Sequence, residues 1–579
     1  MILQALKEYY DRKTELPRQG FEEKEIPYIL TLKTDGTPVS LYSTFEGEGK
    51  KRRAKKVLVP QSVKRSVGII SNLLWDNPEY ALGVVLKGNP ERVVKQHNAF
   101  KEKVFALNID DPGISAVKAF LAKNDKTEIL SVMGEAWKEL LESGANLTFL
   151  LVGDERPVLE RPVVKQGIEH LFADSTDEIL CLVSGEKDPV ERLHASIKGV
   201  YGGQSSGANI VSFNLDAFNS YGKKQGENAP VGKRAAFAYT TALNHLLGKD
   251  SKQRLQVGDA SVVFWAGKNS DFEQIWSDFF SEPPKDDPDR GVRAVESLFK
   301  APQNGAFMED NKQVKFYVLG LAPNASRISI RFWIVDTVTA MAEKITQHFA
   351  DLRIVHGLRE RDVFSLFRLL VSVAVLGKPE NIPPNLAGET MRAILQGLPY
   401  PQTLLQAAVR RIRAEHEITY IRAALIKACI NRTVRFKNSS IKEELKMSLD
   451  ESNKNIGYRL GRLFAALEKI QQDANPGINA TIRDRFYGAA SGTPVVVFGN
   501  LMRLKNHHLA KFDNPGHRVF FEKLLGEIMD GVDAKTAFPS HLSLDDQGRF
   551  AVGYYHQMQA FYTKKTDRNE SKQKGENNE

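Results

Sequence analysis

Hydrophobic and polar positions change their period along the chain. The beginning alternates with period two. Pro27-Tyr-Ile-Leu-Thr-Leu32 and Pro38-Val-Ser-Leu-Tyr-Ser43 read as strands joined by a turn on Asp35-Gly36, and Val57-Leu-Val-Pro60 as a third. Helices are expected near 90–101 and 113–123, the second after the breaker Asp110-Asp-Pro-Gly113. From 127 to 335 helices and strands alternate. Strand candidates are 147–152, 178–183, 210–213 and 261–265, and 314–320 and 327–335 are expected to form a hairpin across Pro323-Asn324. Beyond a Pro/Asn-rich break at 378–386 the pattern turns helical, over 389–398, 401–430 and 439–449. Leu460, Leu463, Phe464, Leu467 and Ile470 then keep helical spacing, as do Leu501, Leu504, His508 and Phe512 after the start signal Thr493-Pro494. Two more helices are expected over 516–531 and 547–563.

This predicts an α/β (mixed α+β) N-terminal and central body followed by an all-α C-terminal helical bundle. The expected domains are 1–125, with strands; 126–380, a mixed body holding a glycine-rich loop at 199–209; 381–446, a basic helical segment; and 447–563, a helical bundle. A polar tail, 564–579, is expected to be disordered.

Composition narrows the class. Hydrophobic residues make up 42% and charged ones 26%, as in a soluble globular protein. No apolar run reaches the roughly 18 residues of a membrane span. The first residues lack a basic n-region and an apolar h-region, so a cytoplasmic location is expected. Cys181 and Cys429, each in an apolar segment, are expected to be reduced core residues. No Cys/His group has zinc spacing, and adjacent helical His507 and His508 point about 100° apart, so no metal or other cofactor is expected.

The net charge of +9 is unevenly spread. Lys50, Lys51, Arg52, Arg53, Lys55 and Lys56 place six cations in seven positions between strand-like segments, a pattern suited to phosphate contact. Eight cations lie between Arg410 and Lys437 without the aromatic face of a membrane helix, which points to the wall of a nucleic-acid channel. Gly457 to Lys511 carries eight cations against three anions, among them Arg459, Arg462, Arg483, Arg485, Arg503 and Lys505.

The glycine-rich loop allows three chemistries. Gly203-Gln-Ser-Ser-Gly207 matches a nucleophile elbow with Ser205 as the nucleophile, but the residues after it resemble a strand where a helix is needed. Its glycine spacing also suits a phosphate loop, yet Ala208-Asn209 replace the required Lys-Ser/Thr. The third is a non-catalytic loop, in which Gln204, Ser205, Ser206 and Asn209 hold a nucleic-acid backbone. In the first domain Asn72 and Asn77 suit base edges, and Lys64, Arg65 and Lys87 suit phosphates; the alternative, slightly favoured for each residue, is that both asparagines cap helices or turns, since Asn77-Pro78 is a turn signal.

Several stretches carry a family resemblance: His194-Ala-Ser-Ile-Lys-Gly-Val200, Gln204-Ser-Ser-Gly-Ala-Asn-Ile-Val-Ser-Phe-Asn214, Ala217-Phe-Asn-Ser-Tyr-Gly222, Gln225-Gly-Glu-Asn-Ala-Pro230 and Ala236-Phe-Ala-Tyr-Thr-Thr-Ala-Leu-Asn244. With Lys64 to Gly83, Asp484 to Phe498 and Lys505-Asn-His-His-Leu509, the chain resembles the large subunit of the type I-C CRISPR Cascade complex. The resemblance implies a non-catalytic subunit that recognises the protospacer-adjacent motif in duplex DNA, starts strand separation, supports the displaced strand and recruits the helicase–nuclease. Implied partners are CRISPR RNA, target DNA, the displaced single strand, and the backbone, RNA-processing and small subunits. The wedge between the strands would be the 202–209 loop or Trp75. The basic C-terminal bundle resembles the small subunit, and Lys442-Glu443-Glu444 ahead of Met447 suggests an internal translation start there. Two other readings stay open: a serine hydrolase using Ser205, and a CRISPR-RNA processing endoribonuclease using His194 or His245.

Overall fold

The computed structural model describes residues 1–47, 52–63, 65, 68–86, 89–124, 126–173, 178–304, 313–357, 360–532 and 537–562. Lys50, Lys51, Lys64, Lys87 and the 564–579 tail lie outside the described residues. The chain forms two units, Met1–Lys198 with Ser205–His245, and Gly199–Gln204 with Leu246–Glu579.

The first unit is built on a four-stranded sheet in the order Pro38–Ser43, Tyr28–Leu32, Leu147–Leu151, Trp75–Asp76. The two middle strands run parallel and the outer pairs antiparallel. Leu147–Leu151 is buried throughout, the run expected of a central strand. The Asp35-Gly36 turn forms as predicted: Thr37 N donates to Asp35 Oδ1 at 2.8 Å, and Gly36 takes φ +75°. A Cβ at Gly36 would stand 2.3 Å from the Phe120 nitrogen, so no other residue fits there without moving helix Pro112–Ala122. That helix starts on Asp111, whose Oδ1 accepts the Gly113 amide at 2.7 Å while Arg161 holds Oδ2 at 2.8 Å. Phe21–Glu25 pairs with Lys56–Pro60, and Phe45–Glu46 with Arg53–Ala54. Residues 210–213 are no strand, although they carry β-branched residues. Nothing there continues the single bridge between Ile197 and Ala208.

The second unit opens with an antiparallel meander, Arg254–Val257, Ala260–Ala266, Lys315–Asn324 and Arg327–Thr337. The expected hairpin is present, but it turns at 325–326; Pro323 and Asn324 remain paired with Ile328 and Arg327. Val262, Phe264, Phe316, Val318, Phe332 and Ile334 belong to a core that continues through the helices as far as Tyr555. Five C-terminal helices, Ile456–Ala474, Ile482–Gly492, Pro494–Leu509, Pro515–Asp530 and Leu544–Tyr562, share that core with the sheet. The chain is therefore mixed in its first part and helical in its last, the expected fold class.

Helix Tyr420–Lys437 corrects the channel-wall expectation. Arg422, Lys427 and Arg432 are buried. Arg432 meets Asp351 at 3.4 Å and gives hydrogen bonds to the Leu398 and Ala393 carbonyls; Arg435 meets Asp351 at 2.7 Å, and Lys427 meets Glu443 at 2.7 Å. These cations neutralise buried acceptors, because a charge inside a core persists only when paired. The predicted helix over 439–449 is absent as well. Asn431 reaches out of the preceding helix, donates to the Leu445 carbonyl at 2.8 Å and accepts the Leu445 amide at 2.9 Å, fixing 444–445 in an irregular course. Both cysteines are free and buried, as expected, and burial pushes the Cys429 thiol up to about 12. Burial also holds His348 and His556 down to about 3, so both are neutral at ordinary pH.

Candidate nucleic-acid interface

Two adjoining features of the first unit carry the exposed charge and polarity that the sequence singled out. One is the edge formed by Arg53–Ala54 and Lys56–Pro60. Arg52, Arg53, Lys55 and Lys56 are all exposed there, because Ala54 and Val57 take the inward positions between them. Their acidic neighbours are loose. Glu139 lies 3.9 Å from Arg52, and Glu23 lies 3.8 Å from Lys56, distances at which a solvated pair contributes little. The Arg52 guanidinium also rests 4.4 Å above the Phe45 ring.

The second feature is the loop that leaves the strand at Gln61 and returns at Trp75. It is fixed by Asp76, whose side chain is 1% exposed. Asp76 Oδ2 accepts the Asn72 amide at 2.9 Å and an N–H of Arg65, and Oδ1 accepts the Asn77 amide at 2.9 Å. Burial pushes this carboxyl above the ordinary aspartate range, against the pull of the Asn72 amide, Arg65 and the Asn77 amide. Arg65 also donates to the Ile70 carbonyl at 2.8 Å and stacks 4.1 Å over Tyr80. Asn72 is buried, its Oδ1 accepting the Val63 amide at 3.1 Å. Asn77 caps helix Pro78–Ala81 by accepting the Tyr80 amide at 3.2 Å. Both asparagines shape the loop: Asn72 does so from inside and offers no free edge to a base, while half-buried Asn77 has its side-chain oxygen committed to the cap. Trp75 is corrected likewise: it is 2% exposed, its indole N–H donates to the Pro60 carbonyl at 2.9 Å, and as a core residue it cannot be a wedge. Among the described residues of the loop, the outward positions are Ser62, Arg65, Gly68 and Ile70. Asp76, which organises all of this, had no sequence signal beyond the Trp-Asp-Asn-Pro run.

The glycine-rich stretch is divided between the units. In the second, the Tyr201 amide donates to Ser261 Oγ at 2.9 Å, and Gly199 lies so near Leu247 that a Cβ would meet its carbonyl at 2.7 Å. In the first, Ala208 and Ile197 exchange hydrogen bonds, and the Asn209 amide donates to the His194 carbonyl at 2.9 Å. Gln204, Ser205 and Ser206 are exposed, whereas Asn209 is engaged. The elbow reading fails on local structure. The next α-helix after Ser205 begins at Lys233, and no hydrogen bond from Ser205 to a histidine or carboxylate occurs among the described residues. His194 instead bonds Tyr239 through Nδ1 at 2.6 Å, and His245 packs beside the Tyr9 ring. Among the described residues no group of three or more His, Cys, Asp or Glu is placed to hold a metal ion. No helix among them is long and apolar enough to cross a membrane.

The candidate strand-binding cations of the C-terminal helices divide by burial. Arg462 is 1% exposed and donates to Gln557 Oε1 at 3.1 Å. Arg459 lies against Gly531 and donates to the Ile528 carbonyl at 3.1 Å, satisfying the end of helix Pro515–Asp530. Arg483 approaches buried Glu468 at 3.7 Å, and Lys505 pairs with Glu522 at 3.4 Å. Arg485 and Arg503 are exposed. Helix geometry explains the split: Arg483 and Arg485, like Arg503 and Lys505, are two positions apart and face opposite sides, whereas Arg459 and Arg462, three apart, share one buried face. Met447 is half-exposed, and its carbonyl accepts the Val355 amide at 2.8 Å.

The sequence model of the family described as CRISPR-associated protein (Cas_Csd1) matches residues 6–562, nearly the whole chain. No curated protein sequence matches it.

Proposed function

The chain belongs to the Cas_Csd1 family of CRISPR-associated proteins and is a large subunit of the type I-C Cascade complex; from that premise we propose that its first unit reads the short motif flanking a target in duplex DNA. The observation that carries this reading is the run of four exposed cations, Arg52, Arg53, Lys55 and Lys56, leading directly into a loop fixed by Asp76. Cations on a strand edge hold phosphates whatever the sequence, while a loop of set shape offers the same groups to every base edge it meets. Guide RNA would read the target by base pairing, leaving only the flank to the protein. Catalysis has no part in this reading. The chain would open the strands and recruit the helicase–nuclease, with Arg485 and Arg503 supporting the displaced strand. A second translation start at Met447 belongs to the same proposal, as a source of free C-terminal helices; an intact-mass spectrum of the expressed protein without that species removes it.

The test is an electrophoretic-shift titration of reconstituted complex, with and without this chain, on duplexes differing only in the base pairs flanking the target. With the chain present, binding should depend on the flank. The Arg52/Arg53/Lys55/Lys56→Ala variant should weaken binding on every flank alike and flatten the log affinity against log salt plot by up to about 0.9 for each phosphate no longer neutralised. Flank-independent binding by the complete complex rejects the motif-reading role.

A further inference from the structure

The motif Ala217-Phe-Asn-Ser-Tyr-Gly222 has no part in the interface described above, and its conformation is unusual. Ser220 to Lys223 is a tight turn closed by the Lys223 amide on the Ser220 carbonyl at 3.0 Å. Its two central residues both have positive φ, +53° at Tyr221 and +72° at Gly222. This is the mirror-image turn that glycine and asparagine adopt with ease and a bulky aromatic residue does not. Tyr221 is nevertheless 98% exposed, so no packing in this chain rewards the ring for being there.

The turn is held stiffly from below. Asn228 accepts the Ser220 amide at 2.9 Å and donates to the Gln225 and Lys223 carbonyls at 3.0 and 3.2 Å. The Glu227 carboxylate is turned to the Lys224 amide at 2.9 Å. Among the described residues neither the Lys223 nor the Lys224 ammonium takes part in an ion pair, and both side chains are exposed. Where the loop rejoins the unit, a cavity of about 50 Å3 is lined by Arg192, His194, Asn209, Phe213 and Gln225. That space suits a few waters and excludes a nucleobase, so a base would be met at the tip.

We propose that Tyr221 is a stacking residue for an unpaired nucleobase, with Lys223 and Lys224 neutralising the phosphates on either side of that base. A fully exposed aromatic ring carried on a hydrogen-bonded turn, beside two exposed cations, is the combination that holds single-stranded nucleic acid. Pre-ordering by Asn228 means the tip loses little freedom on binding. The assignment rests on membership of an RNA-guided complex, but it does not require that the flanking motif be read.

The experiment places 2-aminopurine in the reconstituted complex at one of two sites, the unpaired bases of a DNA bubble beside the target or the 5′ end of the guide RNA. Wild-type protein and Tyr221→Trp should quench the fluorescence in one arm, which identifies the strand, and Tyr221→Ala should abolish the quench. In that arm Tyr221→Ala should bind about ten-fold more weakly or worse, the effect of losing one base–aromatic stack. Tyr221→Gly, which relieves the positive φ, should fold at least as well as wild type and behave like the alanine variant. Unchanged quenching and affinity with alanine in both arms overturns the assignment. Loss of Tyr221→Ala from the assembled complex also overturns it, since Tyr221 would then dock a protein. A bubble needs no flank recognition, so flank-independent binding with an intact quench would reject the motif-reading role and leave Tyr221 in place.

Discussion

Replacing Gly461 by leucine is expected to unfold the C-terminal helices. Helices Ile456–Ala474 and Leu544–Tyr562 cross with their backbones in close approach at three glycines, two on the first helix and one on the second. A Cβ at Gly461 would stand 2.0 Å from the Phe550 carbonyl oxygen, one at Gly553 2.2 Å from that of Tyr458, and one at Gly457 2.4 Å from that of Asp546. No rotamer choice relieves a clash between a Cβ and a backbone oxygen, so the helices must separate. Overpacking of this kind costs about 1–3 kcal/mol where side chains can shift, and more where only the backbone can. The damage would spread. Leu544–Tyr562 also packs against Tyr420–Lys437, where Gly548 faces Ile426 and Ile430, and Tyr555 donates to the Val355 carbonyl at 2.9 Å. The measurement is thermal unfolding of Gly461→Leu followed by calorimetry, with a fall of more than about 10 °C, or recovery only as aggregate, as the expected result. Gly526→Ala is the control of opposite sign. Gly526 lies inside a helix with open space where its Cβ would be, so alanine there should stabilise by roughly 0.5–1 kcal/mol. Equal melting temperatures for Gly461→Leu and wild type would mean that the helix crossing is wider than described.

The same crossing bears on a product started at Met447. Such a chain would keep all five C-terminal helices but lose the Tyr420–Lys437 layer, leaving the apolar side of Leu544–Tyr562 exposed. Exposed apolar faces of that kind seek a partner, so the proposed free product would be expected to reside in a complex.

What the sequence made legible was periodicity. Alternation located Tyr28–Leu32 and Pro38–Ser43, and helical spacing located Ile456–Ala474 and Pro494–Leu509, because burial on one face writes a repeat into the chain. Charge was less legible, since a cation reads the same in water or in a core. Buried Arg432 and Lys427 serve buried Asp351 and exposed Glu443, partners distant in the chain or set across a loop that local pattern cannot register. Arg459 and Arg462 were hidden in the same way, while Arg485 and Arg503 keep the exposure that their charge suggested. Trp75 is followed by the polar turn residues Asp76-Asn77, yet it pairs with Thr148 in the sheet, a contact across 73 positions that only the fold reveals. The glycines of the helix crossing leave no mark in the sequence pattern, because close approach is a property of two segments at once.

Asp76→Ala is expected to cost the protein both stability and flank discrimination while sparing its non-specific hold on DNA. The carboxylate is buried and answers three donors, the amides of Asn72 and Asn77 and the Arg65 guanidinium. Alanine leaves those amides without their acceptor and strands a guanidinium that is only partly exposed. Removing one partner of such a buried set typically costs about 3–5 kcal/mol, more than a surface ion pair ever supplies. The loss would be local first, because Asn72 holds the Val63 amide and Lys103 holds the Ser71 carbonyl in the same loop. Hydrogen exchange at the amides of Val63 and Asn72 should therefore accelerate well beyond that of Leu30 or Phe149 in the adjacent sheet. In the shift titration, preference among flanking sequences should vanish while the salt dependence set by Arg52, Arg53, Lys55 and Lys56 is kept. Arg65→Met combined with Asp76→Leu separates stability from recognition. An apolar pair of similar volume should recover much of the melting temperature, but without the Asp76 acceptor the loop would not regain its shape or its preference. If Asp76→Ala keeps wild-type exchange rates and flank preference, the loop is not organised by this carboxylate, and motif reading would have to reside elsewhere in the first unit.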